Sequence, residues 1–302
     1  MKQMRFSVVA LLLIAAPALA EGLLTPMGPI AADQQVHMIR VTAITMIAVL
    51  PVLIGVPLIL WRYRRGKQGT YRPHFELSVP LEIVMWGIPT LIIVILSYWL
   101  WHSTSRLDPY RPLGPDPVEV QVIGLDWKWL FLYPKEGVAS IGAMPIPAGR
   151  PVQMRLTTDT VMQSFMVPKL AGQIYTMPGM ITNLNFQADH PGTANGFNTQ
   201  YNGAGFADQH FTLEALSPED WQAWMTAARN GPALDQQSYA ELAKRGTLDD
   251  ARKIFGVSDG PLRLRLADDQ LFQHIVHRYH QGKALPDTEQ PGAPAYRAEV
   301  KP

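Results

Sequence analysis

The sequence predicts a membrane-anchored protein in which a two-helix transmembrane hairpin precedes an exported all-β domain and an α-helical C-terminal extension. Three observations support this fold class. Two long apolar segments without charged side chains occupy residues 41–61 and 83–101. Short segments rich in β-branched and aromatic residues, separated by turn residues, run from Val118 to Leu216. A helix-capping pattern followed by amphipathic spacing begins at Ser217.

The first 20 residues have the pattern of a signal peptide. Lys2 and Arg5 precede an apolar run, and residues 18–20 form the small-residue sequence Ala-Leu-Ala that signal peptidase cleaves. We therefore predict a signal peptide over 1–20 and an exported N-terminal segment over 21–36. Because the sequence contains no cysteine, neither a lipidated cysteine nor a disulfide framework is expected.

The two apolar segments are each long enough to cross about 30 Å of hydrocarbon. We predict transmembrane helix 1 over 37–61 and transmembrane helix 2 over 81–102. Three prolines lie inside them, and membrane helices tolerate proline when neighbouring groups satisfy the freed carbonyls. A buried hairpin in a soluble core remains the alternative interpretation.

The predicted loop over 62–80 determines the orientation of the hairpin. It carries no acidic residue before Glu76, and its basic residues are Arg62, Arg64, Arg65, Lys67 and Arg72. Basic loops remain on the cytoplasmic side of a membrane, so we expect both termini on the opposite side. The net charge of +1 does not suggest nucleic-acid binding.

The exported β-domain is expected over 103–216, as an antiparallel sandwich or barrel. Turn-forming sequences separate its predicted strands at 134–137, 147–151 and 190–192. Val118, Val120 and Val122 alternate with polar residues. This spacing predicts a strand with one buried and one solvated face.

The extension is predicted over 217–282. Ser217 can cap a helix, with Asp220 at capping-box spacing. One apolar stripe follows, formed by Trp221, Trp224, Met225 and Ala228. Two further helices are expected, over 238–244 and 267–280, and residues 283–302 are predicted to form a disordered polar tail.

Several motifs, in this order, resemble subunit II of the haem-copper respiratory oxidases. Residues 81–89 (LEIVMWGIP) look like the start of that subunit's second helix, and residues 124–129 (GLDWKW) look like its aromatic strand. Residues 164–168 (SFMVP) and 177–179 (MPG) look like its cupredoxin-type loops. The resemblance covers residues 25–215, and it implies a cupredoxin-like fold for the β-domain.

The chain departs from this family at the copper ligands. Copper-bearing members use two bridging cysteines, two histidines, a glutamate and a methionine. By resemblance, those positions are vestigial in this chain and hold Gln163, Gln200, Asn202, Ala204, Asp208 and Phe211. A soft copper site requires thiolate or imidazole donors, so no metal site is expected. His210 lies out of register, and we interpret it as an ordinary strand or loop histidine.

Loss of the copper ligands is typical of the quinol-oxidising branch, the bo3-type ubiquinol oxidases. The extension with Trp221 and Trp224 also resembles that branch. The resemblance implies a complex in the bacterial inner membrane that oxidises ubiquinol, reduces oxygen to water and translocates protons. This chain would bind no cofactor, whereas subunit I would hold the haems, one copper and the quinol site. Subunits III and IV and the lipid bilayer would be further partners, and cytochrome c would not.

By resemblance, Glu82 matches the family's glutamate at the mouth of one proton-uptake channel. The predicted topology places it at the cytoplasmic end of the second span, where a carboxylate is a functional candidate. A carboxylate in the first turn of a helix also interacts favourably with the helix dipole and can reach water. Both interpretations stay open.

Trp127 and Trp129 occupy the position at which copper-bearing relatives accept electrons from cytochrome c. Without copper behind them, the favoured interpretation is that they fill a strand pair and a subunit interface. His274, His277 and His280 recur every three residues. Adjacent pairs can share one helix face, but we favour a solvated helix end over metal binding.

Two other functions remain open. A membrane-tethered cupredoxin-like binding or assembly protein outside an oxidase would share the fold and topology, although a simple tether needs only one span. A cytochrome c oxidase subunit would need the missing copper ligands, so this possibility is disfavoured.

Overall fold

The structure is a computed structural model that describes residues 22, 24–64, 77–279 and 285–297. The predicted signal peptide lies outside the described residues, as does most of the basic loop, from Arg65 to Glu76. The chain divides into two compact units. One is the helical hairpin of residues 33–108, and the other comprises residues 1–32 and 109–302.

The hairpin consists of α1, Pro29–Arg62, and α2, Val79–Arg106. Both helices are long and apolar enough to cross a membrane, judged by length and composition. At 1.5 Å per residue, the 34 residues of α1 span about 51 Å, which exceeds the hydrocarbon thickness. Helix α1 begins earlier than the predicted residue 37, because Asp33, Gln34 and Gln35 separate its first turn from the long apolar run.

Polar contacts join the two helices within this unit. Arg106 forms an ion pair with Asp33 at 3.3 Å, and the hydroxyl of Ser103 lies 3.2 Å from Nδ1 of His37. These contacts pair the first turns of α1 with the last turns of α2. Antiparallel packing of the helices agrees with the predicted hairpin.

The β-domain contains ten of the twelve described strands. The first five are β1 Val118–Leu125, β2 Lys128–Tyr133, β3 Val138–Ile141, β4 Ala143–Pro147 and β5 Pro151–Thr158. The next five are β6 Gln163–Val167, β7 Ala171–Thr176, β8 Thr182–Gln187, β9 Gly192–Asn198 and β10 His210–Leu216. A short 3₁₀ helix, Phe206–Asp208, precedes β10.

These strands form two packed sheets, as the predicted sandwich requires. The larger sheet has the order β11-β12-β3-β2-β1-β5-β8, in which β11 (Ala233–Leu234) and β12 (Leu262–Leu266) come from the extension. The smaller sheet has the order β4-β10-β9-β6-β7. The prediction of an antiparallel arrangement was wrong in part, because β1 pairs with β5 and β4 pairs with β10 in parallel. These crossovers between distant strands leave no local signal in the sequence.

The extension is a mixed α/β segment rather than a purely helical one. Its helices are α3 Pro218–Arg229, α4 Gln236–Leu242, α5 Leu248–Phe255 and α6 Leu271–Arg278. Its strands, β11 Ala233–Leu234 and β12 Leu262–Leu266, join the edge of the larger sheet through β3. The predicted cap of α3 is confirmed, since the Ser217 hydroxyl accepts a hydrogen bond from the main chain of Asp220.

Two hydrophobic cores result. One lies between the sheets and includes Val120, Val122 and the apolar face of α3. The other lies between the outer face of the larger sheet and α4 to α6, and it includes Ile123 and Leu125. Strand β1 is therefore buried on both faces from Val120 onward, contrary to the predicted solvated face, because the extension covers it.

The described part of the predicted tail, residues 285–297, forms turns against the domain. The Tyr296 hydroxyl donates to the carbonyl of Ala240 at 3.3 Å, and Pro291 and Gly292 are buried. This arrangement differs from the predicted disordered tail, since one aromatic side chain and two buried turn residues attach the segment to the domain.

Candidate functional site

Four turns of the β-domain meet at one end of the two sheets. Two of these turns join neighbouring strands of one sheet, β1 to β2 and β9 to β10. The other two connect the sheets, from β5 to β6 and from β7 to β8. We call this end the pole and define it as residues 126–127, 159–162, 177–181 and 199–209. The copper-ligand positions identified in the sequence lie here or on the strands that enter it.

A pair of buried glutamine side chains lies beneath the pole. Gln163 at the start of β6 and Gln209 just before β10 are both almost fully buried. Nε2 of Gln209 donates to Oε1 of Gln163 at 2.6 Å and to the Leu125 carbonyl at 3.2 Å. Nε2 of Gln163 donates to the same carbonyl at 3.2 Å and to Oγ1 of Thr160 at 3.1 Å. The two amides thus connect three of the four turns.

Two asparagines extend this amide network. Oε1 of Gln209 accepts from Nδ2 of Asn198 at 3.1 Å and from Nδ2 of Asn202 at 2.7 Å. Oδ1 of Asn198 accepts from the main-chain nitrogens of Ser164 and Gln200. These hydrogen bonds join the turns of the pole to one another, as most buried polar groups require, while Oδ1 of Asn202 has no hydrogen-bond partner within the described residues.

Three aromatic side chains, those of Trp129, Phe165 and Phe211, form a cluster on the strands that enter the pole. Phe211 stacks on Phe165 with ring centroids 5.2 Å apart, and Trp129 meets Phe165 edge to face at 5.4 Å. Phe211 faces Gly196 across the β9–β10 pair. A Cβ at Gly196 would lie 2.1 Å from Cζ of Phe211, so the glycine provides the space that the ring fills.

Trp127 covers the opposite side of the pole. It lies in the turn between β1 and β2, so residues 124–129 form a hairpin turn rather than the single aromatic strand expected from the sequence. Its Nε1 donates to the Asn202 carbonyl at 3.2 Å, and its ring packs on Gly203 and Gly205. Trp127 is half-buried, whereas Trp129 is fully buried.

A buried lysine lies behind the Trp127 turn. The Lys128 ammonium group donates to three main-chain carbonyls, those of Asp126, Lys244 and Gly246, at 2.9–3.0 Å. Burial lowers the pKa of Lys128 to about 8, against the attraction of Asp126. The carboxylate of Asp126 is also buried and pairs with Arg245 at 3.2 Å.

A second buried charge lies in the turn between β5 and β6. The Asp159 carboxylate is fully buried and accepts two hydrogen bonds from Arg278, at 2.8 and 3.0 Å. The hydroxyls of Tyr239 and Tyr279 donate to it at 2.5 and 2.8 Å. Burial raises the pKa of Asp159, while Arg278 and the two hydroxyls oppose this shift.

The structure brings only some of the six vestigial positions together. Gln163 and Asn202 take part in the amide network through their side chains, and Gln200 does so through its main chain. Phe211 lies in the aromatic cluster, whereas Ala204 and Asp208 are exposed. Gln209 and Asn198 were not among the predicted residues, because they share no motif with the copper ligands. Their burial beside strand residues is the only signal, and it depends on the fold.

The residues at the pole do not fit a copper centre. Its donors are amides already engaged with one another, and the sequence contains no cysteine. Copper sites of this kind select thiolate and imidazole donors. Across residues 24–64, 77–279 and 285–297, no group of three His, Asp or Glu side chains could hold a metal ion. His210 is exposed at the start of β10.

The remaining predicted residues belong to helices rather than to the pole turns. Glu82 is in the first turn of α2, as expected, and its main-chain nitrogen donates to the carbonyl of Ser78 at 3.0 Å. His274 and His277 lie on α6, where His274 is 3.2 Å from the Asp268 carboxylate. His280 lies outside the described residues. Proton uptake by Glu82 and a solvated helix end for the histidines therefore stay predictions.

Known proteins similar to this chain identify its family. Subunit 2 of the cytochrome bo(3) ubiquinol oxidase of Pseudomonas putida is 38% identical over 278 residues, covering 90% of this chain and 85% of that protein. The ubiquinol oxidase subunit 2 of Acetobacter aceti is 33% identical, covering 87% of this chain and 84% of that protein. The chain belongs to the ubiquinol oxidase subunit 2 family.

A third similar protein covers a smaller part of this chain. The quinol oxidase subunit 2 of Bacillus subtilis (strain 168) is 32% identical, covering 75% of this chain and 73% of that protein. No protein-family model matches the chain. Among solved structures, the periplasmic domain of subunit II of the cytochrome oxidase of Bradyrhizobium japonicum is 19% identical with a TM-score of 0.37, over 38% of this chain and 96% of that domain.

Family membership agrees with the architecture described above. The two apolar helices, the cupredoxin-like β-domain and the C-terminal extension together confirm the predicted fold class, apart from the strands inside the extension. As a member of the ubiquinol oxidase subunit 2 family, the chain is a subunit of a membrane oxidoreductase complex.

Proposed function

We propose that this chain is a subunit of a proton-translocating ubiquinol oxidase, that it holds no redox centre of its own, and that it supplies a proton-uptake carboxylate. The amide network at the pole is the observation that supports the absence of a redox centre. Gln163 and Gln209 fill the space behind the pole with mutually satisfied hydrogen bonds. A metal placed there would have to break those bonds and would find amide donors in return.

The electron-transfer groups would belong to partner subunits. Subunit I would hold the haems, one copper and the quinol site, and would pass electrons from ubiquinol to oxygen to form water. Subunits III and IV and the lipid bilayer complete the proposed environment, with no contact to cytochrome c. The contribution of this chain is then to dock on the membrane subunits and to present its own side chains to them.

The proposed topology has both termini on the periplasmic side of the inner membrane. Arg62 ends α1 and Arg64 follows it, so the described part of the connection between the helices is basic. Positive charge favours the cytoplasmic side. The β-domain, which follows α2, would then be periplasmic.

Glu82 is the proposed proton-uptake residue. It is the one acidic residue in the first turn of α2, and the proposed topology places that turn at the cytoplasmic face. A carboxylate at a membrane boundary can accept a proton from water and pass it to a partner group.

The deciding experiment is purification of the complex in mild detergent through a tag on this chain. We expect haem and one copper per complex, and oxygen uptake driven by ubiquinol but not by reduced cytochrome c. Three coppers together with cytochrome c oxidation would contradict the absence of a redox centre in this chain. A preparation without haem would instead favour a tethered binding or assembly protein outside an oxidase.

A further inference from the structure

The C-terminal extension holds the pole through buried charges rather than through apolar packing alone. Its contacts concentrate on two of the four pole turns, the one between β1 and β2 and the one between β5 and β6. Both turns also support the amide network, through the Leu125 carbonyl and the Thr160 hydroxyl. The extension therefore contacts the elements that fix Gln163 and Gln209.

The first set of contacts surrounds Asp159. Tyr239 reaches this carboxylate from α4, and Arg278 and Tyr279 reach it from the end of α6. The Tyr279 hydroxyl lies 2.7 Å from the Asp159 main-chain carbonyl as well. One turn of the pole thus binds two separate helices of the extension through a fully buried carboxylate.

The second set surrounds the turn between β1 and β2. The Lys128 ammonium group joins this turn to the carbonyls of Lys244 and Gly246 in the extension. The Gly246 nitrogen donates to the Asp126 carbonyl at 3.0 Å, and Arg245 pairs with the Asp126 carboxylate. Four polar contacts therefore bind residues 244–246 to the turn that carries Trp127.

We propose that the extension is a clamp that sets the conformation of the pole, with Asp159 as its principal anchor. Arg278 is the charged side chain that pairs with Asp159. A buried ion pair adds little net stability compared with an apolar pair, but it requires one specific geometry to avoid an unpaired buried charge. A buried carboxylate with several partners can therefore hold the turn between β5 and β6 in one position. This inference goes beyond the proposed function and does not depend on it.

The test is hydrogen exchange, measured by mass spectrometry on the intact purified complex carrying Asp159→Asn. Without the carboxylate charge, Arg278, whose side chain is 30% exposed, loses its counter-charge, and the asparagine accepts fewer of the hydrogen bonds that converge on this position, so the clamp opens more often. We expect exchange at the pole turns and in α6 to accelerate by roughly tenfold or more, since breaking one partner of a buried pair is strongly destabilising. Exchange at the opposite end of the sheets should stay unchanged.

A matched control is Glu136→Gln. Glu136 lies in the turn between β2 and β3, at the end of the larger sheet opposite the pole, and pairs with Arg229 of the extension. Its loss removes an ion pair between the same two parts of the chain. We expect no acceleration at the pole from this variant.

A milder variant keeps the test decisive if Asp159→Asn prevents assembly. Tyr279→Phe removes one hydroxyl while keeping the ring and the ion pair. We expect it to accelerate exchange in the same segments by a smaller factor. Acceleration spread evenly over both ends of the sheets, or no change at the pole in either variant, would overturn the proposal. Neither outcome depends on metal content or on the electron donor.

Discussion

The side-chain amide of Gln209 donates a 2.6 Å hydrogen bond to the side-chain oxygen of Gln163, and both residues are almost fully buried. Gln209 is also the acceptor for Asn198 and Asn202. It is the only residue among the described parts of the chain that contacts the other three members of the amide network directly. Its removal therefore tests the whole network.

We predict that Gln209→Leu destabilises the β-domain by about 2–3 kcal/mol, because it leaves several buried amide groups without partners. The measurement is the midpoint of thermal unfolding of this chain in the purified complex. Gln222→Leu is the control, since Gln222 is exposed on α3 and the same substitution there leaves no buried group unpaired. Equal midpoints for the two variants would contradict a stabilising network.

A second prediction concerns the contact between Gly196 and Phe211. Because a Cβ at Gly196 would overlap the ring, Gly196→Ala should cost about 1–3 kcal/mol through overpacking. Phe211→Leu opens the space, so the alanine should cost much less in that background. The unfolding midpoints of the two single variants and the double variant form a cycle that measures this coupling. Additive effects would show that the ring does not depend on the glycine.

A third prediction concerns the two tryptophans of the 124–129 segment. Trp129→Phe should lower the unfolding midpoint without changing the KM for ubiquinol. The loss is one of packing, because Nε1 of Trp129 has no hydrogen-bond acceptor within the described residues. Trp127→Phe should additionally lose the bond to the Asn202 carbonyl. A raised KM with an unchanged midpoint, in either variant, would revive a redox or substrate role.

The elements that depend on local chemistry could be predicted from the sequence. Uninterrupted apolarity identified both long helices, and Ser217 with Asp220 identified the start of α3. The first two turns of α1 were missed, because the polar residues 33–35 separate them from the apolar run that identified the helix. Residues 262–266 alternate as Leu-Arg-Leu-Arg-Leu, which is the pattern of a strand. This strand was missed because the whole extension was expected to be helical.

The candidate site was predictable only as a set of vestigial positions. The resemblance singled out Gln163 and Phe211, but their partners in the structure, Gln209 and Gly196, follow from no ligand pattern. Asp159 and its partner Arg278 are 119 residues apart in sequence. Contacts over such distances depend on strand order, and the parallel pairing of β1 with β5 is a property that residue spacing alone does not reveal.

The fourth prediction uses the buried ammonium group of Lys128. Its pKa of about 8 in the folded chain lies below the ordinary value of 10.5, owing to burial. Between these two pH values the unfolded chain binds a proton that the folded chain does not, so the free energy of unfolding should rise with pH. The group should add no pH dependence below this window, where the lysine is charged in both states.

The measurement for Lys128 is the unfolding midpoint of the complex across this pH window. The wild-type chain should gain stability relative to Lys128→Met as the pH rises, because the methionine variant lacks the titrating group. Lys135→Met is the control, since it makes the same substitution at an exposed lysine in the turn between β2 and β3 and leaves Lys128 in place. A constant difference between wild type and Lys128→Met would contradict the lowered pKa.

The fifth prediction concerns Glu82. If this carboxylate accepts protons on the cytoplasmic side, Glu82→Gln should slow ubiquinol-driven oxygen uptake while leaving the assembly and haem content of the complex intact. The amide keeps the shape of the side chain and one acceptor oxygen but cannot carry a proton between water and a partner. Turnover and haem content of the purified variant complex are the measurements, and Glu82→Asp should retain most of the activity.

Glu219→Gln is the matched control for Glu82→Gln. Glu219 is also an acidic residue in the first turn of a helix, at the start of α3 in the extension. If the charge at Glu82 serves only the helix dipole, both substitutions should leave turnover unchanged and cost about 0.3–1 kcal/mol of stability at most. If it serves proton uptake, only Glu82→Gln should slow turnover. Equal turnover in the two variants would therefore contradict a role of Glu82 in proton uptake and leave it only the interaction with the helix dipole.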